Sequence, residues 1–261
     1  MLFNRKFDLI VSIGEDCACT SYLRRFKLQK YSYPFDWLTH ATFETRINLV
    51  INDFENFLNI DDLKQMPKPE QFSVDEKHDY YENIFNGFYF WHDFPFNTSL
   101  QEGFDAVKEK YERRIKRLYK EIDNADNVLF VWFSRNNYQD YQLVEKSYYE
   151  LKNKFSNQNV FLLILEHSET DERTYLADNH ILISKYDNKS YQENPKWNRT
   201  MGNEANNEKL FRQIKLKRNL DDYLSDFIYF IQMFAVNFIP KKALRHKLRD
   251  KIIFKRNHAK L

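Results

Sequence analysis

Three short, mostly apolar runs constrain this chain most: FDLIVSI at 7–13, VLFVWF at 128–133 and VFLLIL at 160–165. A strand with no polar alternation has to be buried on both faces. Between the runs lie stretches with helical spacing. Thr42–Leu58 sets Phe43, Ile47, Val50, Ile51, Phe54 and Leu58 at intervals close to 3.6 residues. Glu102–Asn124 aligns Phe104, Val107, Tyr111, Ile115 and Leu118, and Gln142–Phe155 separates the second and third runs. Asp16–Leu28 reads as a further short helix and Ile181–Ser184 as a weaker strand, while Pro67–Asn97 fits only a short strand or a structured loop. Strands alternating with helices predict an α/β fold, a three-layer sandwich around a mostly parallel central sheet. We expect this domain over residues 1–219, followed at 220–261 by an amphipathic helix and a basic tail.

Composition then removes several functions. The 261 residues include only four glycines, Gly14, Gly87, Gly103 and Gly202, so neither GxGxxG nor GxxxxGK[ST] can be assembled. Two cysteines, Cys17 and Cys19, are too few for a disulfide framework or a four-ligand zinc site. We therefore expect a reducing, cytoplasmic setting with no metal and no cofactor. Net charge is +2 overall. It is unevenly spread: residues 240–261 hold nine Lys/Arg against one Asp, leaving an acidic remainder that argues against nucleic acid as a partner. The N-terminal apolar stretch is broken by Asp8 and lacks a small-residue cleavage site, so no signal peptide is read there.

In open α/β sheets, ligands bind beyond the carboxyl ends of the strands. Cys17 falls at such a place, three residues after Gly14 and in the first turn of the helix that follows. A helix N-terminus favours a thiolate and lowers its pKa, whereas a buried cysteine is simply a small apolar side chain. Cys19 projects from another face and suits packing. A nucleophilic cysteine needs a base, usually histidine. Among the seven histidines, position favours His40 after PFDWL, His92 within FYFWHDF and His167 at the end of a strand, and spacing does not choose among them. Asp36 in PFDW fits either an orienting carboxylate or a turn residue.

The stretch SIGEDCACTSYLRRFKLQKYSYPFDWL resembles the opening of a bacterial family of papain-like cysteine peptidases. The pattern S-[LI]-G-x-x-C, a helix ending in L-R, then S-x-P-F-D-W is carried here by Ser12, Gly14, Cys17, Leu23, Arg24, Ser32, Pro34, Phe35, Asp36 and Trp37. His92–Phe94 and the run KYERRIKRLYKEIDNADNVLFVWFSR extend the likeness over roughly residues 7–135, with fainter echoes near Trp197 and Gly202. The resemblance implies Cys17 as nucleophile, His92 as base and Asp36 as third member. The strand–turn–Cys–helix start itself looks like that of hydrolases or acyltransferases acting through an acyl–Cys17 intermediate, with backbone N–H groups near Asp16–Ala18 as an oxyanion hole. A glycan or small-molecule substrate with an anionic group would meet Arg113 or Arg114, although arginines so placed more often form a solvated helix face.

Phe227–Ile239 is too short and too interrupted to cross a bilayer. Followed by PKKALRHKLRDKIIFKR, it reads either as an interfacial anchor, residues 227–258 meeting an anionic membrane surface, or as a packed helix with a solvated tail. The tail's likeness to the ends of bacterial enzymes that build lipopolysaccharide or capsule, added to the family resemblance, implies surface-polysaccharide biosynthesis at the inner face of the cytoplasmic membrane. Two rival expectations are a noncatalytic glycan- or partner-binding module and a metal-independent glycosyltransferase; no DxD-type acidic pair follows a strand.

Overall fold

The computed structural model describes residues 2–68, 77–134, 140–168, 170–187 and 204–258; Trp197 and Gly202 lie outside them. In chain order the strands are β1 (Lys6–Phe7), β2 (Leu9–Ser12), β3 (Leu38–His40), β4 (Leu63–Met66), β5 (His78–Asn83), β6 (Phe88–Pro95), β7 (Asn127–Phe133), β8 (Asn159–Ser168), β9 (Glu172–Leu176), β10 (Ile181–Asp187) and β11 (Lys215–Leu216). The helices are α1 (Cys17–Arg25), α2 (Phe43–Ile51), α3 (Leu100–Asp123), α4 (Tyr141–Lys154), α5 (Glu204–Gln213), α6 (Leu220–Asn237) and α7 (Lys242–His258). The chain divides into two units, Met1–Leu216 and Lys217–Leu261.

In the first unit the three apolar runs become β2, β7 and β8, which form a sheet in the order β2-β7-β8-β10-β9. β2, β7, β8 and β10 run parallel, and β9 joins antiparallel at the edge. Period-2 alternation sends successive side chains to two separate cores. Val11, Phe130, Leu162 and Ile183 pack with α2, α3 and α4, whereas Ile10, Val131, Leu163 and Leu182 pack with α1 and α5. Both faces of the sheet's central strands are therefore dry, which is why β7 and most of β8 read as unbroken apolar runs.

Two local expectations change. The helix expected over Thr42–Leu58 stops at Ile51, because Asp53, Phe54 and Asn56 take positive φ in a turn. Asn and Asp tolerate that region, and the turn still delivers Phe54 and Phe57 to the core. The segment read as one strand or a loop contributes two strands, β5 and β6. With β3 and β4 these build a second, antiparallel sheet in the order β3-β6-β5-β4. Its apolar side joins the same core as α2 and α3 through Leu38, Phe88, Phe90 and Phe94. α3 begins on a capping box, Ser99 with Glu102, two residues before the expected start.

Candidate active site

β2 continues pairing beyond its last strand residue. Ile13 N–H donates to the Val131 carbonyl at 2.9 Å and Glu15 N–H to the Phe133 carbonyl at 2.8 Å, so the chain stays beside β7 until it turns into α1. Gly14 permits that turn. A Cβ built there would lie 2.5 Å from Cys19 Cβ and 3.1 Å from Cys19 Sγ. Asp16 is the N-cap, and its carboxylate accepts from Ala18 N–H at 2.7 Å. Cys17 is thus the first residue of α1, partly exposed, just past the carboxyl end of a parallel strand. Cys19 is wholly buried; burial pushes its thiol up to about 12. The two cysteines are chemically distinct. Ala18 N–H, within the expected oxyanion stretch Asp16–Ala18, is taken up by the Asp16 carboxylate.

Thr20 and Arg24 lie one and two turns beyond Cys17 on the same side of α1. Both reach Asp36, which is completely buried. Thr20 Oγ1 donates to Oδ1 at 3.2 Å, and Arg24 Nη2 reaches Oδ2 at 3.4 Å. Gln29 Nε2 at 2.6 Å and Tyr33 N–H at 3.1 Å also donate to Oδ2. Burial raises the Asp36 carboxyl above its ordinary value against the opposing pull of Arg24, Gln29, Arg114 and the Tyr33 amide. Among the described residues no histidine hydrogen-bonds Asp36. Its carboxylate fastens α1 to the Tyr31–Trp37 segment, which leads directly into β3.

His92 is on β6, exposed. Its ring meets Trp37 edge-on at 6.4 Å and His78 at 5.8 Å. The Arg24 guanidinium lies 5.2 Å from the same Trp37 ring. Trp37 thus touches both Arg24 and His92, while Asp36 is bonded to α1 through Thr20 and Arg24. His40 ends β3 with φ of 60° and stacks on Tyr89 at 3.8 Å. Thr39 Oγ1 lies 3.0 Å from His40 Nδ1 and accepts from Trp91 Nε1. Partial desolvation lowers the His40 pKa; Glu15 and Asp16 pull it back up and Arg46 lowers it further. His40 is thus electrostatically coupled to the loop that carries Cys17. His167 is the penultimate residue of β8, its ring 6.5 Å from that of Tyr186.

Several residues that the sequence reading passed over tie this rim together. Arg46 is fully buried in α2 and donates to three carbonyls: Glu15 at 3.3 Å, Leu38 at 3.4 Å and His40 at 2.7 Å. One guanidinium thereby fixes the Cys17 loop to β3. Its signal was present, because Arg46 interrupts the apolar face of Phe43, Ile47 and Val50, where a charge needs a buried purpose. Ser134 Oγ donates to the Glu15 carboxylate at 2.7 Å, and Tyr186 Oη to the Ser134 carbonyl at 3.1 Å, carrying the network across β7 to β10. No spacing rule could have found these. Arg113 is exposed on α3, and Arg114 is half-buried with its guanidinium 5.4 Å from the Tyr111 ring. Arg114 Nη1 is buried and makes no hydrogen bond among the described residues.

Comparison with known proteins finds one family match over residues 8–170, more than half of the chain, to the family described as "Putative papain-like cysteine peptidase". An uncharacterized protein of Acanthamoeba polyphaga mimivirus is 27% identical over 154 residues, which cover 55% of this chain and 68% of that protein. No solved structure matches.

Proposed function

The chain belongs to that family of papain-like cysteine peptidases, and on that premise we propose that it is a cysteine hydrolase with Cys17 as nucleophile. One observation carries the reading. Of the two thiols only Cys17 is accessible, and it opens a helix at the carboxyl end of a parallel sheet, where the helix dipole favours the thiolate. The Cys17 thiolate attacks an acyl carbon, and the leaving amine or alkoxide departs with the proton held by the base. Water then cleaves the thioester and returns the thiol. The developing oxyanion lies at the N-terminus of α1, where the helix dipole is positive.

His92 is the proposed base, exposed toward substrate and braced by Trp37. Asp36 is a positioning residue, acting through Thr20 and Arg24 on α1 and through the turn that presents Trp37. Arg113, exposed on α3, and Arg114, half-buried beside it, are the proposed receivers of an anionic group of the substrate. A second assignment of the base has its own support: His40 senses Glu15 and Asp16, the two residues before Cys17.

Treatment with p-nitrophenyl acetate tests the proposal. Intact-mass spectrometry should show one transient acetyl group, absent in Cys17→Ala and retained in Cys19→Ala. Equal acetylation of Cys17→Ala would remove Cys17 from the mechanism. Whichever of His92→Ala and His40→Ala raises the pH at which Cys17 is alkylated identifies the base.

A further inference from the structure

The second unit, α6 and α7, is not used by the proposed chemistry. α6 shows two stripes. At 3.6 residues per turn, Asp222, Asp226, Tyr229, Met233 and Val236 fall on one side, and these are its buried or half-buried positions. Directly opposite, Leu220, Leu224, Phe227, Ile231, Phe234 and Phe238 are 48–85% exposed. With Tyr223, Ile228 and Phe230 they spread over an arc of about 160°. The most apolar face of the helix is therefore not the one the chain covers.

Charge identifies what fits. Lys241 and Lys242 follow Phe238 after only two residues, and Lys247, Arg249 and Lys251 continue on α7; all five are exposed. The acidic residues of α6 are confined to its first two turns. Asp222 closes the capping box with Asn219, and Asp226 pairs with Arg218 at 2.8 Å. No helix among the described residues is long and apolar enough to cross a membrane. A second copy is a poorer occupant: a self-complementary pairing would bring two basic helices together, and the arc is wider than a coiled-coil seam.

We propose that α6 lies in the plane of an anionic lipid surface, its aromatic face among the acyl chains and the α7 lysines and arginines at the headgroups. The test is flotation of the full chain with phosphatidylcholine vesicles, with and without phosphatidylglycerol. The chain should float with the anionic vesicles and at least about tenfold less with the neutral ones, an advantage that high salt erases. Phe227→Asp/Phe234→Asp should abolish flotation. Lys241→Glu/Lys242→Glu/Lys247→Glu should remove only the preference for anionic lipid. Unchanged thermal unfolding in both variants separates these losses from misfolding. Wild-type protein that stays in solution with anionic vesicles overturns the proposal. So does a dimer by light scattering that Phe227→Asp/Phe234→Asp converts to monomer without any lipid effect.

Discussion

Gly14→Ala puts the geometry around Cys17 under direct strain. Gly14 does not use positive φ, so alanine is permitted by the backbone. On that ground alone the substitution would stabilise the fold by about 0.4–1 kcal/mol, by restricting the unfolded chain. The packing opposes it. The new methyl would stand 2.5 Å from Cys19 Cβ, 3.1 Å from its Sγ and 3.4 Å from Phe133 Cβ, inside a site with no slack. Cys19 Cβ is fixed in place by the backbone of α1 and cannot rotate away, so the helix start itself must move. Overpacking of this kind costs about 1–3 kcal/mol, and the net effect is a loss of about 1–2 kcal/mol. For a domain of this size that is a fall of roughly 2–8 °C in Tm. Urea and thermal unfolding would read it. Adding Cys19→Ala removes the Sγ contact but leaves the closer Cβ one, so it should recover only part of the loss. Alkylation of Cys17 should slow in Gly14→Ala, since the first turn of α1 carries it. A Gly14→Ala protein as stable as wild type, or more so, would refute the tight approach of α1 to the end of β2.

Two further outcomes follow from the titrating groups. At pH 8 a thiol at about 12 is ionised to only about one part in ten thousand, some thousandfold less than an ordinary thiol. Iodoacetamide should therefore modify Cys17 and leave Cys19 intact in the folded protein, with both reacting in urea; tandem mass spectrometry assigns the site, and native labelling of Cys19 within tenfold of Cys17 would contradict its burial. His40 has a depressed pKa in the fold, so the folded state binds its proton less readily than the unfolded chain. The stability this contributes is present above about pH 6.5 and is lost as pH falls through the folded value, so the urea midpoint should drop on acidification. His40→Asn should flatten that slope, and an unchanged slope would assign the effect to other groups.

What the sequence disclosed and what it hid divide along one physical line. β2, β7 and β8 were legible because a strand buried on both faces needs nothing but apolar residues, and α3 because its apolar spacing is long and regular. The second sheet was not, since β3 and β4 are short, β5 and β6 mix aromatic with polar residues, and β3 takes its identity from β6, about fifty residues along the chain. The site divides in the same way. Cys17 could be located because strand, glycine and helix cap are consecutive in sequence. The groups that hold its loop are remote: Arg46 binds the Glu15 carbonyl from 31 residues away and Ser134 the Glu15 carboxylate from 119. A hydrogen bond of that separation leaves no periodic trace in either segment. The one visible sign is a residue out of keeping with its neighbours, a charge on the apolar side of α2 or an aspartate packed between Phe35 and Trp37. Such misfits mark where tertiary structure spends polar groups inside a core, and here both Arg46 and Asp36 spend theirs on the segments that bracket Cys17.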